Sequence, residues 1–198
     1  MRKNDIQKIF SKIPELESER LVLRRMQKSD APDMFEYACL PTVTEYLLWY
    51  PHPDLDHTKR YLSMIDKDYR IGVFYDWAVV LTENGKMIGT CGFTDIDTQN
   101  FCAEVGYVLN PKYWGEGIAP EAVSTVMRFG FDVLKMHRIE AKYIIGNDRS
   151  RRVMEKTGMT FEGIRRSSML IKGQYRDIGI CSIISSEYNH SYYLNSGE

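Results

Sequence analysis

EVGYVLNPKYWGEGIA, residues 104–119, is the stretch on which the fold turns. From Cys102 to Leu109 (CAEVGYVL) the chain reads as a strand, and Asn110-Pro111 ends it. Proline donates nothing to a ladder and biases its predecessor away from helix. The loop 112–117 carries Gly115 and Gly117, and beyond it Val123, Val126, Met127, Phe131 and Leu134 recur at helical spacing. Strand, proline-bounded break, glycine loop and helix start together point several backbone N–H groups outward at the positive end of a helix. Glycine at 115 and 117 lets the backbone approach a ligand with no Cβ in the way. The guest such a loop suits is a phosphate or pyrophosphate; a tight turn and nothing more is the plain alternative.

Upstream, 77–82 (WAVVLT), the turn 83–86 (ENGK) and 87–94 (MIGTCGFT) read as a hairpin, which with 102–109 makes three antiparallel strands. Before them, 20–26 (RLVLRRM) alternates as a half-buried strand, and Ser29 or Asp30 opens a helix to about Ala38. Pro41 and the pair Pro51, Pro53 bound an aromatic segment, 46–50. Asp56 or His57 begins a further helix with Tyr61, Met64, Ile65 and Tyr69 on one face. Downstream, 139–145 is a buried strand and 150–156 a helix stopped by Gly158. Residues 159–171 and 174–185 form a closing hairpin around Lys172-Gly173. The order β-α-α-β-β-β-α-β-α-β-β predicts an α/β (α+β mixed sheet) protein: a central, mostly antiparallel mixed sheet of about seven strands flanked by helices. One domain is expected over 1–198, with 1–15 as an N-terminal arm and 187–198 as a C-terminal tail.

Composition removes several function classes. Lys+Arg 26 against Asp+Glu 27 leaves a net charge of −1, so nothing marks the chain for nucleic acid or anionic membrane. Apolar runs fall far short of the ~20 residues a membrane helix needs. The N-terminal MRKNDIQKIF has basic residues without an apolar stretch behind them, and a cytoplasmic location is expected. Cys39, Cys91, Cys102 and Cys181 stand far apart and read as free thiols; His52 and His57 lack a third ligand, so no metal is expected. The glycine loop is not followed by Gly-Lys-Ser/Thr, and its spacing is not that of a dinucleotide fingerprint. Nucleotide hydrolysis and hydride transfer drop out.

What fits is a different family. The strand–proline–loop–helix resembles that of the GNAT N-acetyltransferases, whose Arg/Gln-x-x-Gly-x-Gly/Ala loop cradles the pyrophosphate of acetyl-CoA. Here it reads Trp114-Gly115-Glu116-Gly117-Ile118-Ala119, with Trp114 in the place of Gln or Arg. A second element, Asn147-Asp148-Arg149-Ser150 followed by Val153-Met154-Glu155-Lys156-Thr157-Gly158-Met159, resembles the family's Asn-x-x-Ser/Ala…Glu-Lys-x-Gly-Phe. The words Tyr113-Trp114-Gly115 and Met136-His137-Arg138-Ile139 are similar to those of the RimJ/RimL type, the ribosomal-protein N-terminal acetyltransferases. The likeness spans 16–186.

The resemblance implies acetyl transfer from acetyl-CoA, as co-substrate, to a primary amine, with a protein N-terminal α-amine as acceptor. Alternatives are a small amine (polyamine, aminoglycoside or amino acid derivative) and a non-catalytic acyl-CoA-binding module; the chain would work as monomer or homodimer. It places Val108, Leu109, Trp114, Gly115, Glu116, Gly117, Ile118, Ala119, Asn147 and Ser150 against the cofactor. The N–H near Val108 would serve as oxyanion donor. For a base, Glu104 is favoured: four residues before Val108 on the same strand face, about 13 Å away at ~3.3 Å per residue, so a water relay is needed. Asp95 and Asp97 on the adjoining turn are alternatives. The tyrosine that relatives use as acid is Met154 here, which leaves Ser150 as substitute; the alternative for Ser150 is a helix cap. Trp49, Tyr50 and 75–77 would wall the acceptor pocket, or belong to the core. Arg165 and Arg166 read as surface.

Overall fold

A computed structural model describes residues 1–188; the part of the expected tail beyond Tyr188 lies outside the described residues. The elements run α1 (Lys3–Phe10), β1 (Leu16–Glu17), β2 (Leu21–Arg24), α2 (Ala31–Ala38), α3 (Pro41–Thr44), α4 (Leu55–Ile71), β3 (Asp76–Leu81), β4 (Met87–Asp97), β5 (Cys102–Leu109), α5 (Ile118–Asp132), β6 (Arg138–Ile144), α6 (Asp148–Lys156), β7 (Thr160–Ile171) and β8 (Gln174–Ile184). They build one eight-stranded sheet in the order β1-β2-β3-β4-β5-β6-β8-β7. The strand beyond the expected seven is β1, which pairs Leu16 and Glu17 with β2. It lies just past the expected 1–15 arm, in two residues too few to show alternation.

The N-terminal segment is no loose arm either. Ile6 and Phe10 are buried, and the Phe10 ring meets Tyr75, Trp77 and Phe129 edge-on. Such edge-to-face clusters add to the burial of area. Trp77 lies in that core and not in a pocket wall: it is fully buried and its indole N–H donates to the Pro14 carbonyl at 2.7 Å. Because side chains alternate along a strand, Trp77 pointing at α5 turns its neighbour Asp76 to the opposite face, beneath α2 and α4.

Every neighbouring pair in the sheet is antiparallel except β5–β6. That parallel pair holds for three residues, Cys102↔Arg138, Ala103↔Ile139 and Glu104↔Glu140, and then the strands part. From Val105 onward β5 pairs with β4 alone, and from Ala141 onward β6 pairs with β8 alone. The middle of the sheet therefore opens as a V whose apex is Glu104.

Candidate active site

At the far end of β5, Trp114 and the two glycines set the loop. The Trp114 indole N–H donates to the Leu109 carbonyl at 2.8 Å, folding the loop back onto the strand end. Gly115 and Gly117 have φ of 87° and 80°, a left-handed backbone that L side chains rarely adopt, and Gly117 precedes the first turn of α5. The amides of Gly115, Glu116, Gly117, Ile118 and Ala119 donate to no protein acceptor among the described residues. Arg20 holds the loop from behind, donating to the Glu116 carbonyl at 3.0 Å while paired with Glu121. Trp114 thus does scaffold work, and a cation stands beside it: the Arg149 guanidinium lies 4.4 Å over the Trp114 ring. Arg149, Arg152 and Lys156, all on α6, line the same end of the cleft. Free amides at a helix start with three cations beside them fit a phosphate-bearing group.

The cleft runs from this loop through the V to α2 and α4, with a volume of about 1950 Å³. A pocket for one small ligand is roughly 300–1,000 Å³, so two substrates fit together. Asn110 donates its N–H to Ile88 on β4. Alternation then turns the Val108 N–H toward β4 as well, and those of Tyr107 and Leu109 toward the open V. The N–H of Val108, expected as oxyanion donor, thus points at β4, the N–H groups that face the V are those of Tyr107 and Leu109, and Val108 itself lines the cleft.

Glu104 stands at the apex of the V, in an ion pair with Lys142, which also reaches Glu140 at 3.3 Å. Burial works against the Lys142 charge; Glu104 and Glu140 outweigh it and raise the ammonium pKa. Asp95 pairs across from Glu104, and Asp97 caps the turn by accepting from Gln99 and Asn100.

On the other face of β5 stands a residue that sequence reasoning missed. The Tyr107 and Ser150 hydroxyls are 2.8 Å apart, and the Tyr107 hydroxyl also donates to the Ser150 carbonyl at 2.9 Å. Burial raises the Tyr107 pKa, so the phenol stays protonated. Ser150 is not the cap of α6: the helix starts two residues earlier and Asn147 caps it, accepting the Ser150 N–H at 3.2 Å. Met154 is buried in the core. The signal that could have found Tyr107 is its odd spacing from Glu104, which places a hydroxyl across the strand from the carboxylate.

Toward α2 and α4 the walls are Trp49, Tyr50, Tyr61, Tyr75 and the His52–His57 pair, whose rings stand 4.7 Å apart. Burial, with His57 beside it, lowers the His52 pKa. Asp76, not Trp77, completes the expected aromatic run on this wall. Arg165 and Arg166 are exposed on the outer edge strand β7. Among the described residues no cluster of metal-ligating side chains and no membrane-crossing helix occurs.

A split sheet with an anion cradle at one end narrows the comparison with known proteins. Residues 20–160 match the model of the acetyltransferase (GNAT) domain. The chain is 35% identical over 173 residues to the uncharacterized N-acetyltransferase p20 of Bacillus licheniformis, covering 87% of this chain and 97% of that one. It is 26% identical over 181 residues to the [ribosomal protein uS5]-alanine N-acetyltransferase of Escherichia coli, covering 87% and 92%. In fold it resembles RimL, a ribosomal L7/L12 alpha-N-protein acetyltransferase solved with coenzyme A, at a TM-score of 0.73 and 21% identity over 86% and 98% of the two chains. With the domain model matched over most of its length, the chain belongs to the GNAT family of N-acetyltransferases.

Proposed function

We propose that this chain is one acetyltransferase domain that moves the acetyl group of acetyl-CoA onto a protein N-terminal α-amine in the cytoplasm, by direct attack in a ternary complex. The observation that carries the reading is the V between β5 and β6, with a free-amide cradle at one end and an aromatic-walled cleft at the other. The amides of residues 115–119 hold the pyrophosphate, with Arg149, Arg152 and Lys156 beside them. The thioester arm lies in the V, where the N–H groups of Tyr107 and Leu109 receive the carbonyl oxygen as it becomes an oxyanion. Bringing amine and carbonyl together in this way is worth several kcal/mol of the barrier.

The two faces divide the proton work. The amine arrives on the Glu104 face, where Glu104 accepts a proton through water. The thiolate departs toward Ser150, whose hydroxyl, in contact with Tyr107, donates to it. In this reading that pair takes the acid role that Met154 cannot fill. The N-terminal acceptor is supported by the E. coli relative, whose name gives it an alanine of uS5. A small polyamine is the second reading, favoured by the carboxylates Glu45 and Asp76 at the acceptor end. Thiol release from acetyl-CoA with a panel of N-terminal peptides, polyamines and aminoglycosides decides between them. Peptides are expected to turn over fastest; coenzyme A binding without turnover on any amine would establish the module instead.

A further inference from the structure

Three residues in register form a row across the sheet on the α2 and α4 face: Asp76 on β3, Gly92 on β4 and Gly106 on β5. Strands lie ~4.8 Å apart, so the row leads from the Asp76 backbone to the edge of the V in about 10 Å. No side chain stands on its two inner positions. Nor could one: a Cβ on Gly92 would fall 2.7 Å from Asp76 Oδ1 and 2.3 Å from its Cα, and a Cβ on Gly106 would meet Thr94 Cγ2 at 2.7 Å. The two glycines thus leave room that other groups use, Asp76 Oδ1 lying against Gly92 and the Thr94 methyl against Gly106, in a row that ends where β5 and β6 part.

That carboxylate has no counter-charge. Asp76 accepts the Trp77 N–H at 3.0 Å and a hydrogen bond from Thr90, but no Lys, Arg or His pairs with it among the described residues. The nearby arginines are committed elsewhere, Arg24 to Asp30 at 2.7 Å and Arg25 to Asp66 at 2.7 Å and to the Tyr69 ring. The titratable groups that face Asp76 are Tyr37 from α2 and Tyr61 and Tyr69 from α4, while Cys91, in register with Trp77, feels its charge from the other face of the sheet. Burial raises the pKa of each, so all four stay neutral at physiological pH. The Tyr37 hydroxyl is buried and has no hydrogen-bond partner among the described residues, a state proteins rarely leave uncompensated. Tyr37 and Asp76 both line the cleft.

We propose that Asp76 is the seat of the acceptor's ammonium group, which pairs with the carboxylate beside the Tyr37 hydroxyl and leaves its first proton there before the amine advances to the V. The inference rests on the reading of this cleft as an amine-acetylation site. Burial pushes the Asp76 carboxyl up to about 7, which suits a group that must take a proton and release it at neutral pH. The protons balance. R–NH3⁺ gives one to Asp76 and becomes R–NH2, which moves about 10 Å along the cleft to the V, where its lone pair attacks the thioester carbon. The C–N bond forms, the C–S bond breaks, and sulfur leaves with the bonding pair to be protonated from Ser150. The nitrogen's second proton passes through water to Glu104. Asp76 and Glu104 then return their protons to solvent, and Ser150 regains one from it, for a net release of one.

The test uses the full chain with ¹³C-labelled aspartate carboxyls, Asp76→Asn supplying the assignment, and n-butylammonium as probe against n-butanol. Asp76 is expected to titrate near 7 alone, and n-butylammonium to lower that midpoint by a unit or more, while n-butanol leaves it in place. Tyr37→Phe should weaken n-butylammonium several-fold and keep the Asp76 midpoint within half a unit. An Asp76 that titrates near 4, or that responds equally to the alcohol and the ammonium, overturns the proposal. Coenzyme A calorimetry on the same samples separates the two readings: failure of coenzyme A to bind defeats the acetyltransferase reading, whereas binding with an unresponsive Asp76 defeats this one alone.

Discussion

Ser150→Ala separates chemistry from architecture because the structure has already removed the usual confusion between them. In most helices a serine near the N-terminus is a cap, and losing it costs about 1 kcal/mol. Here the cap is the Asn147 carboxamide, and it accepts the Ser150 backbone N–H, which alanine keeps. Tyr107 likewise keeps its bond to the Ser150 carbonyl at 2.9 Å. What alanine removes is one hydroxyl–hydroxyl contact, worth about 1 kcal/mol or less, and the better helix propensity of alanine returns part of that. The expected change in Tm is therefore under about 2 °C, whereas Asn147→Ala should lower Tm by about 2–4 °C in a chain of this size. Turnover should respond the other way: loss of an acid from the departing thiolate costs on the order of 10²-fold, and Asn147→Ala, once folded, far less. Steady-state rates with acetyl-CoA and with an acetyl thioester of a more acidic thiol complete the assay, since the better leaving group needs less help and the deficit should narrow. A Ser150→Ala protein that melts early and turns over normally would refute the reasoning. The thiolate would then leave unassisted, and the Tyr107–Ser150 contact would be structural.

Three further outcomes are expected. Gly117→Val should fold, because a Cβ there meets only Arg20 Nη2 at 3.5 Å, but the left-handed backbone costs about 1–2 kcal/mol and the amides shift; calorimetry should show coenzyme A affinity falling at least about tenfold, and unchanged affinity counts against the cradle. Glu104→Gln should lower the rate by about 10²-fold at neutral pH, less at high pH, with coenzyme A affinity held; a pH-independent effect under about two-fold would leave Glu104 with Lys142 as a pin at the apex of the V. Asp76 binds its proton more tightly folded than unfolded, 3.8 rising to about 7, so its contribution is fully present below about pH 4 and is lost as pH climbs through 7. Asp76→Asn should therefore stabilise the protein at pH 8, by at most about 4 kcal/mol, and do nothing at pH 4; equal Tm differences at the two pH values would show that the carboxyl is not buried charge.

The segments with local chemistry were legible in the sequence. Cys102–Leu109 ends where Asn110-Pro111 stops it, and Gly117, with the left-handed backbone glycine allows, is the residue before α5. The Asn84-Gly85 and Lys172-Gly173 turns set their hairpins, with positive φ at Gly85, Lys172 and Gly173. Illegible were features that depend on partners far away in the chain. Leu16–Glu17 is too short to show alternation and becomes a strand only because β2 lies beside it. The polar start of the chain gave no sign that Phe10 would reach Trp77 and Phe129, since eight residues with two buried apolar ones read as an arm until something covers them.

The acceptor end shows why such a site escapes one-dimensional reading. Tyr75-Asp76-Trp77 reads as an aromatic run, and the eye takes its two rings as the wall and the aspartate as filler. Period-two geometry reverses this: it commits Trp77 to the core and sends Asp76 to the cleft. Even that step does not isolate the carboxylate. Its isolation needs Gly92 and Gly106, 16 and 30 residues onward, to fall in line with it, and their alignment comes from two antiparallel registers with a bulge in each. Shifting either register by one residue would put Cys91 or Phe93 beside Asp76 in place of Gly92, or Val105 or Tyr107 where Gly106 lies, and would set a side chain where Asp76 and Thr94 now lie. The unpaired carboxylate of Asp76 and the two glycines in line with it are therefore one feature, made by the sheet and not by any local motif, and the chemistry that completes it is a cation.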